Sequence, residues 1–239
     1  MEYHYYTTEV IQVIDETLQV KRFILKMSKD VEFRFQSGQF IMLDLPIAST
    51  QTNRSFSIAS APSNNNIFEI CIVKKEDGIG TSWIWENMNV GTHLQCTTAL
   101  GKFRLPETIE SDLCFIATGT GIAPVRSMVL DIYSNQKAHK NIYVVFGNRW
   151  IKDILYREEF EALQAEHPEF HFIPVLSRET RANWLGHIGY VHTVYEKLFE
   201  DRRAATFLLC GWNAIVKEAR DRIKAMGYTK KDMKYELYD

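Results

Sequence analysis

Arg54, Ser55, Phe56 and Ser57 place a cation, an aromatic ring and two hydroxyl groups in four consecutive residues. On an extended strand, side chains alternate between two faces, so Arg54 and Phe56 share one face while Ser55 and Ser57 share the other. One short strand can therefore offer a charge, a ring and hydroxyls to a large ligand. An ordinary barrel strand with an exposed arginine also explains these residues, and for the motif alone it is the simpler interpretation.

A second group with binding chemistry is the glycine-rich stretch around Gly80, Thr81 and Ser82. It follows an apolar strand pattern and leads into a helix that we expect to begin near Thr81. A helix N-terminus exposes unpaired N–H groups and a positive dipole end, and glycine lets the backbone approach an anion closely. The stretch predicts a phosphate-binding turn, although a glycine turn followed by a capped connector helix fits it equally well.

In the second half of the chain, four apolar strand patterns each end in glycine or polar residues. Ligands of parallel sheets bind beyond the carboxyl ends of the strands, which is where these residues fall. One Gly-x-Gly often makes only a tight turn, but four such ends favour a dinucleotide site, with the pyrophosphate at the first of them. The four ends are Gly119-Thr120-Gly121, Gly147-Asn148-Arg149, Ser177-Arg178 and Cys210-Gly211.

The elements that must position these groups differ between the two halves. Short β-type segments separated by turns predict a small antiparallel barrel or sandwich from strands at 9–14, 20–27, 40–45, 54–60, 67–73 and 93–98. Beyond residue 112, strands at 113–117, 142–146, 170–176 and 207–209 alternate with helices, which predicts a parallel, doubly wound sheet. The helices are expected after the Gly119 turn and at 155–166, 191–199 and 212–226, and residues 235–239 alternate like a final strand.

Composition narrows the class of protein. With 46% hydrophobic and 24% charged residues the 239-residue chain has a globular profile, long enough for two domains. A formal charge of −2 without a long basic run gives no support to a nucleic-acid partner. No apolar run is long enough for a membrane span and the N-terminus does not resemble a signal peptide, so we expect a cytoplasmic protein.

The four cysteines, Cys71, Cys96, Cys114 and Cys210, are far apart in the sequence. Their spacing suggests neither a zinc site nor an iron–sulfur cluster, and buried reduced thiols are the default expectation. No metal site is predicted. Redox chemistry would therefore come from a bound organic cofactor.

Taken in order, these motifs resemble those of the ferredoxin–NADP(+) reductase superfamily, the plant-type flavoprotein reductases. The order is Arg-x-Phe-Ser, a glycine–Thr/Ser helix start, Gly-Thr-Gly-Ile-Ala-Pro, Cys-Gly and a terminal Glu-x-Tyr. The resemblance covers nearly the whole chain, from the Gln39-Phe40 region to the C-terminus. It implies an FAD-binding antiparallel β-barrel over residues 1–108 and an NAD(P)-binding, Rossmann-like parallel sheet over residues 109–239.

The resemblance also implies roles for individual residues. Arg54 would pair with the flavin pyrophosphate, and Phe56 would stack on the isoalloxazine in place of the usual tyrosine. Ser57, Cys210 and Glu236 would form the hydride-transfer site, and Tyr238 would cover the flavin face that the nicotinamide must occupy. The further FAD contacts implied are Ser55, Ser57, Ile72, Val73, Lys74, Gly80, Thr81 and Ser82. The NAD(P) contacts implied are Gly119, Thr120, Gly121, Ile122, Ala123, Pro124, Gly147, Asn148, Arg149, Ser177, Arg178, Cys210, Gly211 and Trp212.

Each of these assignments has a structural alternative. Cys210 is also explained as a small buried thiol at a strand end, and the C-terminal residues as a plain edge strand. Family members commonly have prolines after Cys-Gly, whereas Trp212 and Asn213 stand there in this chain. The resemblance therefore does not define the shape of the nicotinamide pocket.

The activity implied is hydride transfer from NAD(P)H to FAD, with electrons passed to a separate acceptor such as ferredoxin or flavodoxin. A free-flavin reductase and a non-enzymatic regulatory subunit of the same fold are the alternatives. Ser177-Arg178 resembles the pair that holds the 2′-phosphate in NADPH-using members, and Arg181 can add charge. NADPH is therefore the expected coenzyme, with NADH as the alternative if this segment is only a solvated loop.

Overall fold

The computed structural model describes residues 3–48 and 52–238. They belong to two compact units. The first comprises Met1–Arg104 together with Arg126–Asn135, and the second comprises Leu105–Val125 together with Gln136–Asp239. The predicted domain division after residue 108 stays a prediction.

The first unit is built on an antiparallel sheet. Its strands are β1 (Tyr5–Thr17), β2 (Val20–Met27), β3 (Phe40–Asp44), β4 (Asn53–Ser57), β5 (Ile67–Val73) and β6 (His93–Thr97), and its helix is α1 (Ile79–Asn87). The order across the sheet is β4-β3-β6-β1-β2-β5, and an Ile58–Ile70 bridge brings the end of β4 onto β5. Inward-facing apolar residues, including Phe23, Leu25 and Ile41, form its core.

The second unit is a doubly wound parallel sheet. Its strands are β7 (Asp112–Thr118), β8 (Ile142–Asn148), β9 (Phe170–Leu176), β10 (His187–Ile188), β11 (Ala205–Trp212) and β12 (Met233–Tyr238). Its helices are α3 (Arg157–Glu166), α4 (Val191–Leu198) and α5 (Asn213–Ala225). Helix α2 (Ile122–Ser134) begins in this unit, whereas its residues from Arg126 onward belong to the first unit. The strand order is β10-β9-β8-β7-β11-β12, and every neighbouring pair is parallel. The predicted fold class is confirmed in both halves.

Element boundaries differ from the predictions at a few places. Strand β4 ends at Ser57, because the following residues leave the β3 ladder and Ile58 pairs with Ile70 instead. Helix α1 begins at Ile79, before Thr81, with Gly78 as its extended N-cap residue. The short strand β10 was not expected, since two residues are too few to show a period.

The apolar face predicted for α2 is buried as expected. Val125, Met128, Val129 and Ile132 are each 0% exposed. All four cysteines are buried and free, in agreement with the expected reduced thiols. Among the described residues, no helix is both long and apolar enough to cross a membrane.

Candidate functional site

In the first unit, the guanidinium of Arg54 lies against the start of α1. A methyl group added at Gly80 would stand 3.0 Å from Arg54 Nε, so glycine at this position allows the guanidinium to approach the helix closely. The first N–H groups of an α-helix have no acceptor within the helix. A guanidinium beside such N–H groups makes a site for an anion, and this is the arrangement that the two motifs predicted separately.

Thr81 and Ser82 follow Gly80 in the first turn of α1. The Thr81 hydroxyl accepts a hydrogen bond from Lys75 N (3.1 Å) and lies 3.2 Å from Gly78 O, so it holds the glycine-rich loop closed. Ser82 N donates to Gly78 O and closes the first turn. Ser82 also lines a cleft of about 390 Å³ beside this turn, together with Pro46, Ile47, Ala48, Asp77, Ile79, Trp83 and Glu86.

Strand β4 distributes its side chains less evenly than strict alternation predicts. Ser55 is exposed, whereas Ser57 is buried although both lie on the same side of the strand. Phe56 is half-buried and packs against the core of the first unit. Its ring therefore has one side on protein and part of its surface available to a ligand.

Strand β5 ends at the other predicted flavin contacts. Ile72 is buried in the core of the first unit, while Val73 and Lys74 are exposed. Lys74 N donates to Gln19 O (2.8 Å), so its main-chain donor is used within the protein. Ile72 can contact a ligand only through its backbone, whereas Val73 and Lys74 can use their side chains.

In the second unit, two glycine turns meet backbone to backbone at the carboxyl ends of β7 and β11. A methyl group at Gly121 would stand 2.4 Å from Cys210 O, and one at Gly211 would stand 2.3 Å from Thr118 Oγ1. Gly119 (φ +52°) and Gly211 (φ +136°) have backbone angles that favour glycine. Open space surrounds the Cβ position of Gly119. Thr120 lies between the glycines and is half-buried, and Ile122, Ala123 and Pro124 are buried in the first turn of α2.

The carboxyl ends of β8 and β9 lie next to each other. Ser177 N donates to Asn148 O (2.9 Å) and Arg178 N donates to Arg149 O (3.0 Å), which places two exposed arginines on adjacent chain segments. Asn148 Nδ2 is buried and has no hydrogen-bond partner within the described part of the chain. A buried donor without an acceptor suits a ligand that brings one. Gly147 has only 2.9 Å between its Cβ position and Val191 Cγ1.

Cys210 and the C-terminal strand are neighbours in the sheet of the second unit. Cys210 pairs with Glu236 and Trp212 pairs with Tyr238 in the β11–β12 ladder. Burial raises the pKa of the Cys210 thiol well above its ordinary value, the Glu236 carboxylate raises it further, and a hydrogen bond with Tyr238 opposes the shift. The thiol is therefore a neutral, buried group, while Trp212 is 62% exposed beside it.

The predicted residues thus divide into two groups. The structure brings the Arg54 and Gly80 motifs together in the first unit, and it brings the Gly121 and Cys210 motifs together in the second. Ser57 belongs to the first unit, whereas Cys210 and Glu236 belong to the second, so their joint role in hydride transfer stays a prediction.

Several residues at the site belong to none of the predicted motifs. Thr118 Oγ1 accepts a hydrogen bond from Trp212 N (3.3 Å), and its only signal in the sequence is its position before Gly119. Beyond the ends of β8 and β9, a cleft of about 500 Å³ is lined by Trp150, Ile151, Lys152 and Glu179. Hydrogen bonding from Asn183 lowers the pKa of the Glu179 carboxyl, so the cleft is lined by one carboxylate and one lysine.

Known proteins match both halves of the chain. The description "oxidoreductase FAD-binding domain" matches residues 7–105, and "oxidoreductase NAD-binding domain" matches residues 115–221. Ferredoxin--NADP reductase B of Sorangium cellulosum is 30% identical over 215 residues, which cover 87% of this chain and 86% of that protein. Phenol hydroxylase P5 protein of Acinetobacter pittii is 32% identical over 198 residues, 82% of this chain but 55% of that protein. The chain therefore spans about half the length of this second relative.

Among solved structures, a ferredoxin NADP+ reductase from Neisseria gonorrhoeae with bound FAD and NADP has the same fold. Its TM-score is 0.84 at 21% identity, and the match covers 99% of each chain. Fold and domain matches together define an oxidoreductase with one FAD-binding and one NAD-binding domain. The chain belongs to the ferredoxin–NADP(+) reductase superfamily, and the predicted family, enzyme class and cofactor class are confirmed.

Proposed function

We propose that this chain oxidises NAD(P)H with a bound FAD and passes the electrons to a separate acceptor, with ferredoxin or flavodoxin as the first choice. The observation that carries the proposal is the strand-end cluster of the second unit. There the neutral Cys210 thiol stands beside Glu236 and behind the Gly119–Gly121 turn. Similarity to a ferredoxin–NADP reductase over 86% of that relative's length supports the choice of acceptor. A cytoplasmic location is part of the proposal.

The residues of the first unit fit the flavin. Arg54 and the free N–H groups at the start of α1 would hold the pyrophosphate, because both are donors to anionic oxygen. Phe56 would stack on the ring system, and the buried Ser57 hydroxyl would donate a hydrogen bond near the reacting nitrogen. The bound FAD supplies the redox chemistry, since it accepts a hydride and releases electrons one at a time.

The residues of the second unit fit the nicotinamide dinucleotide. Gly119–Gly121 and the first turn of α2 would hold its pyrophosphate, and Asn148 would supply its buried amide donor. Cys210, as a neutral thiol, would pack against the nicotinamide without placing a charge beside it. Holding the nicotinamide and flavin rings in the geometry for hydride transfer would lower the activation barrier by about 7 kcal/mol or more, as in other well-oriented systems.

The visible spectrum of the purified protein tests the proposal. Flavin absorbance retained after desalting, bleached by NADPH under anaerobic conditions and restored by an added ferredoxin, is the expected result. An apo preparation that reduces added flavin as a free substrate would instead identify a free-flavin reductase. Flavin retention without NAD(P)H oxidation by any acceptor would identify a regulatory subunit.

An oxygenase component is a second candidate acceptor. The similarity to phenol hydroxylase P5 protein favours it, although the chain covers only 55% of that protein. The acceptor assay separates the two candidates. If an added ferredoxin restores the oxidised spectrum as fast as NADPH bleaches it, no oxygenase component is needed as the acceptor.

NADPH is the proposed coenzyme. Arg178 and Arg149 are exposed on adjacent segments, and two cations at this edge suit a 2′-phosphate. Replacing Arg178 by alanine should lower kcat/KM for NADPH by about tenfold and leave that for NADH nearly unchanged. Arg222→Ala is the matched control, because Arg222 is an exposed arginine that pairs with Glu196 (3.1 Å) and Glu218 (2.8 Å) and has no predicted role in binding. Equal losses with both coenzymes would contradict the preference for NADPH.

A further inference from the structure

Four largely buried charges form a chain through the first unit. Arg22 Nη1 lies 3.2 Å from Glu16 Oε2, and Arg22 Nε and Nη2 donate to the two carboxylate oxygens of Glu69 at 2.7 and 3.0 Å. Arg126 Nη1 completes the chain 3.5 Å from Glu69 Oε2, and the Arg126 and Glu69 side chains are each only 9% exposed. Two arginines and two glutamates balance, so no net charge is left inside.

The last member of this chain acts on the segment that follows β4. Arg126 Nη1 donates to Ala59 O (2.9 Å), and Ala59 N donates to the main-chain oxygen of Glu69 (2.7 Å). Ser60 Oγ accepts from Glu69 N (3.1 Å), and Ser127 Oγ donates to Ser60 O (2.6 Å). Two consecutive residues are thus held by four hydrogen bonds, all within the first unit.

Backbone contacts also hold the chain between Ala59 and Ser57. Ile58, which lies between Ser57 and Ala59, donates its N–H to Gln39 O (2.9 Å) and bridges to Ile70. Every residue from the end of β4 to Ser60 is therefore fixed by a named contact. The Arg126–Ala59 hydrogen bond therefore holds the backbone two residues after Ser57.

General stability does not explain this arrangement. Replacing a buried ion pair by apolar residues of similar volume is often neutral or stabilising, so such a pair is weak support for the fold as a whole. Loss of Arg126 alone would leave the Ala59 carbonyl, buried at 0% exposure, without this donor. The specific consequence of the Arg126–Glu69 pair is a fixed conformation of Ala59 and Ser60, which follow β4.

We propose that Arg126 is a positioning residue for the flavin site, acting through the Ala59 carbonyl on Ser57. This inference rests on the proposed function, in which Ser57 adjoins the flavin. It predicts that Arg126 affects FAD binding and flavin geometry without contacting the cofactor.

Three variants test the role of Arg126: Arg126→Met, the double variant R126M/E69Q, and Asp131→Ala as the matched control. Asp131 lies on the same helix and accepts a hydrogen bond from Ser37 Oγ (2.6 Å), away from Ala59. The measurements are the FAD dissociation constant of the apo-protein, the visible circular dichroism of bound flavin, and hydrogen exchange of a peptide covering residues 55–60. Thermal unfolding reports stability separately.

Arg126→Met is expected to weaken FAD binding by about tenfold and to speed exchange at Ala59. Arg126→Met leaves one excess negative charge in the chain of two arginines and two glutamates, and E69Q removes it, so in R126M/E69Q thermal stability should recover while FAD affinity stays low. Asp131→Ala should lose stability but keep FAD affinity within about twofold of wild type.

The proposal is overturned if Arg126→Met binds FAD as Asp131→Ala does, or if affinity recovers with stability in the double variant. A wild-type protein that binds no FAD would overturn the proposed function and this inference with it. The two failures are distinguishable, since only the second is visible before any variant is made.

Discussion

Gly121 is the residue at which the Gly119–Gly121 turn tolerates least change. A Cβ added at Gly121 would stand 2.4 Å from Cys210 O, whereas the Cβ position of Gly119 faces open space. Gly121→Ala should lower the free energy of unfolding by about 3 kcal/mol, because the clash is with backbone that cannot rotate away. Gly119→Ala should cost about 1 kcal/mol, from its left-handed backbone alone. Denaturant titration of both variants measures the difference, and an equal or reversed order would contradict it.

Phe56 is the residue at which this chain departs from the tyrosine usual in its family. Its ring is half-buried against the core of the first unit, so the ring itself, and not a hydroxyl, is what a flavin would contact. Phe56→Ala should weaken FAD binding by about tenfold, since stacking and buried area are both lost. Phe56→Tyr, the control, should stay within about threefold. Fluorescence titration of apo-protein with FAD measures both, and a tight-binding alanine variant would exclude stacking.

At the scale of elements, the amino ends of β7 and β11 are tied together by Arg203. Its Nε donates to Asp112 Oδ2 (2.9 Å), its guanidinium lies 4.3 Å from the Phe199 ring centre, and Asp112 is only 5% exposed. This is the end of the sheet opposite the predicted site. The geometry therefore assigns Arg203 to stability and not to binding.

Arg203→Met should lower the free energy of unfolding by about 2 kcal/mol, because it leaves the Asp112 carboxylate buried without its cation. The rate of flavin reduction at saturating coenzyme should not change. Urea titration and stopped-flow absorbance measure the two quantities. The double variant with Asp112→Asn should recover part of the loss, and a slowed reduction in the folded variant would contradict the assignment.

Apolar periodicity predicted most elements because it reports burial directly. The i, i+3, i+4, i+7 spacing of Val125, Met128, Val129 and Ile132 gave the buried face of α2. The same helix also buries Arg126 (8% exposed), which no apolar pattern can show. A buried arginine is recognisable only once its partners, Glu69 and Ala59, are known from tertiary structure.

Glycine positions predicted the turns of the site for a similar reason, since a glycine marks close backbone approach wherever it occurs. The neighbouring residues do not indicate which part of the chain approaches the glycine. Gly121, for example, contacts Cys210, which lies far along the chain. The hydroxyl of Thr81 also bonds to Lys75 and Gly78, which no local pattern indicates, and its predicted contact with FAD stays a prediction. Local motifs therefore predicted where the backbone turns, but not how each side chain is used.

At the scale of the whole molecule, both units use one device. Each has a helix that begins directly behind glycines, α1 after Gly78 and α2 after the Gly119–Gly121 turn. In the first unit a side-chain cation, Arg54, accompanies the helix start, whereas the turn of the second is made of backbone from two strands. Both helix starts thus present main-chain N–H donors in a geometry that suits an anion.

The chain as a whole should lose stability in alkali. Burial raises the pKa of the thiols of Cys96, Cys114 and Cys210, so they stay protonated in the folded protein while unfolded thiols ionise near pH 9.0. A raised folded pKa gives stability that is present below the unfolded pKa and is lost above it. Three such thiols should lower the free energy of unfolding by about 4 kcal/mol per pH unit above about pH 9. Urea titrations from pH 7 to 10 measure this slope. Cys96→Ala should reduce the slope by about one third, because it removes one of the three thiols. A free energy of unfolding that does not change with pH would show that the thiols ionise in the folded state.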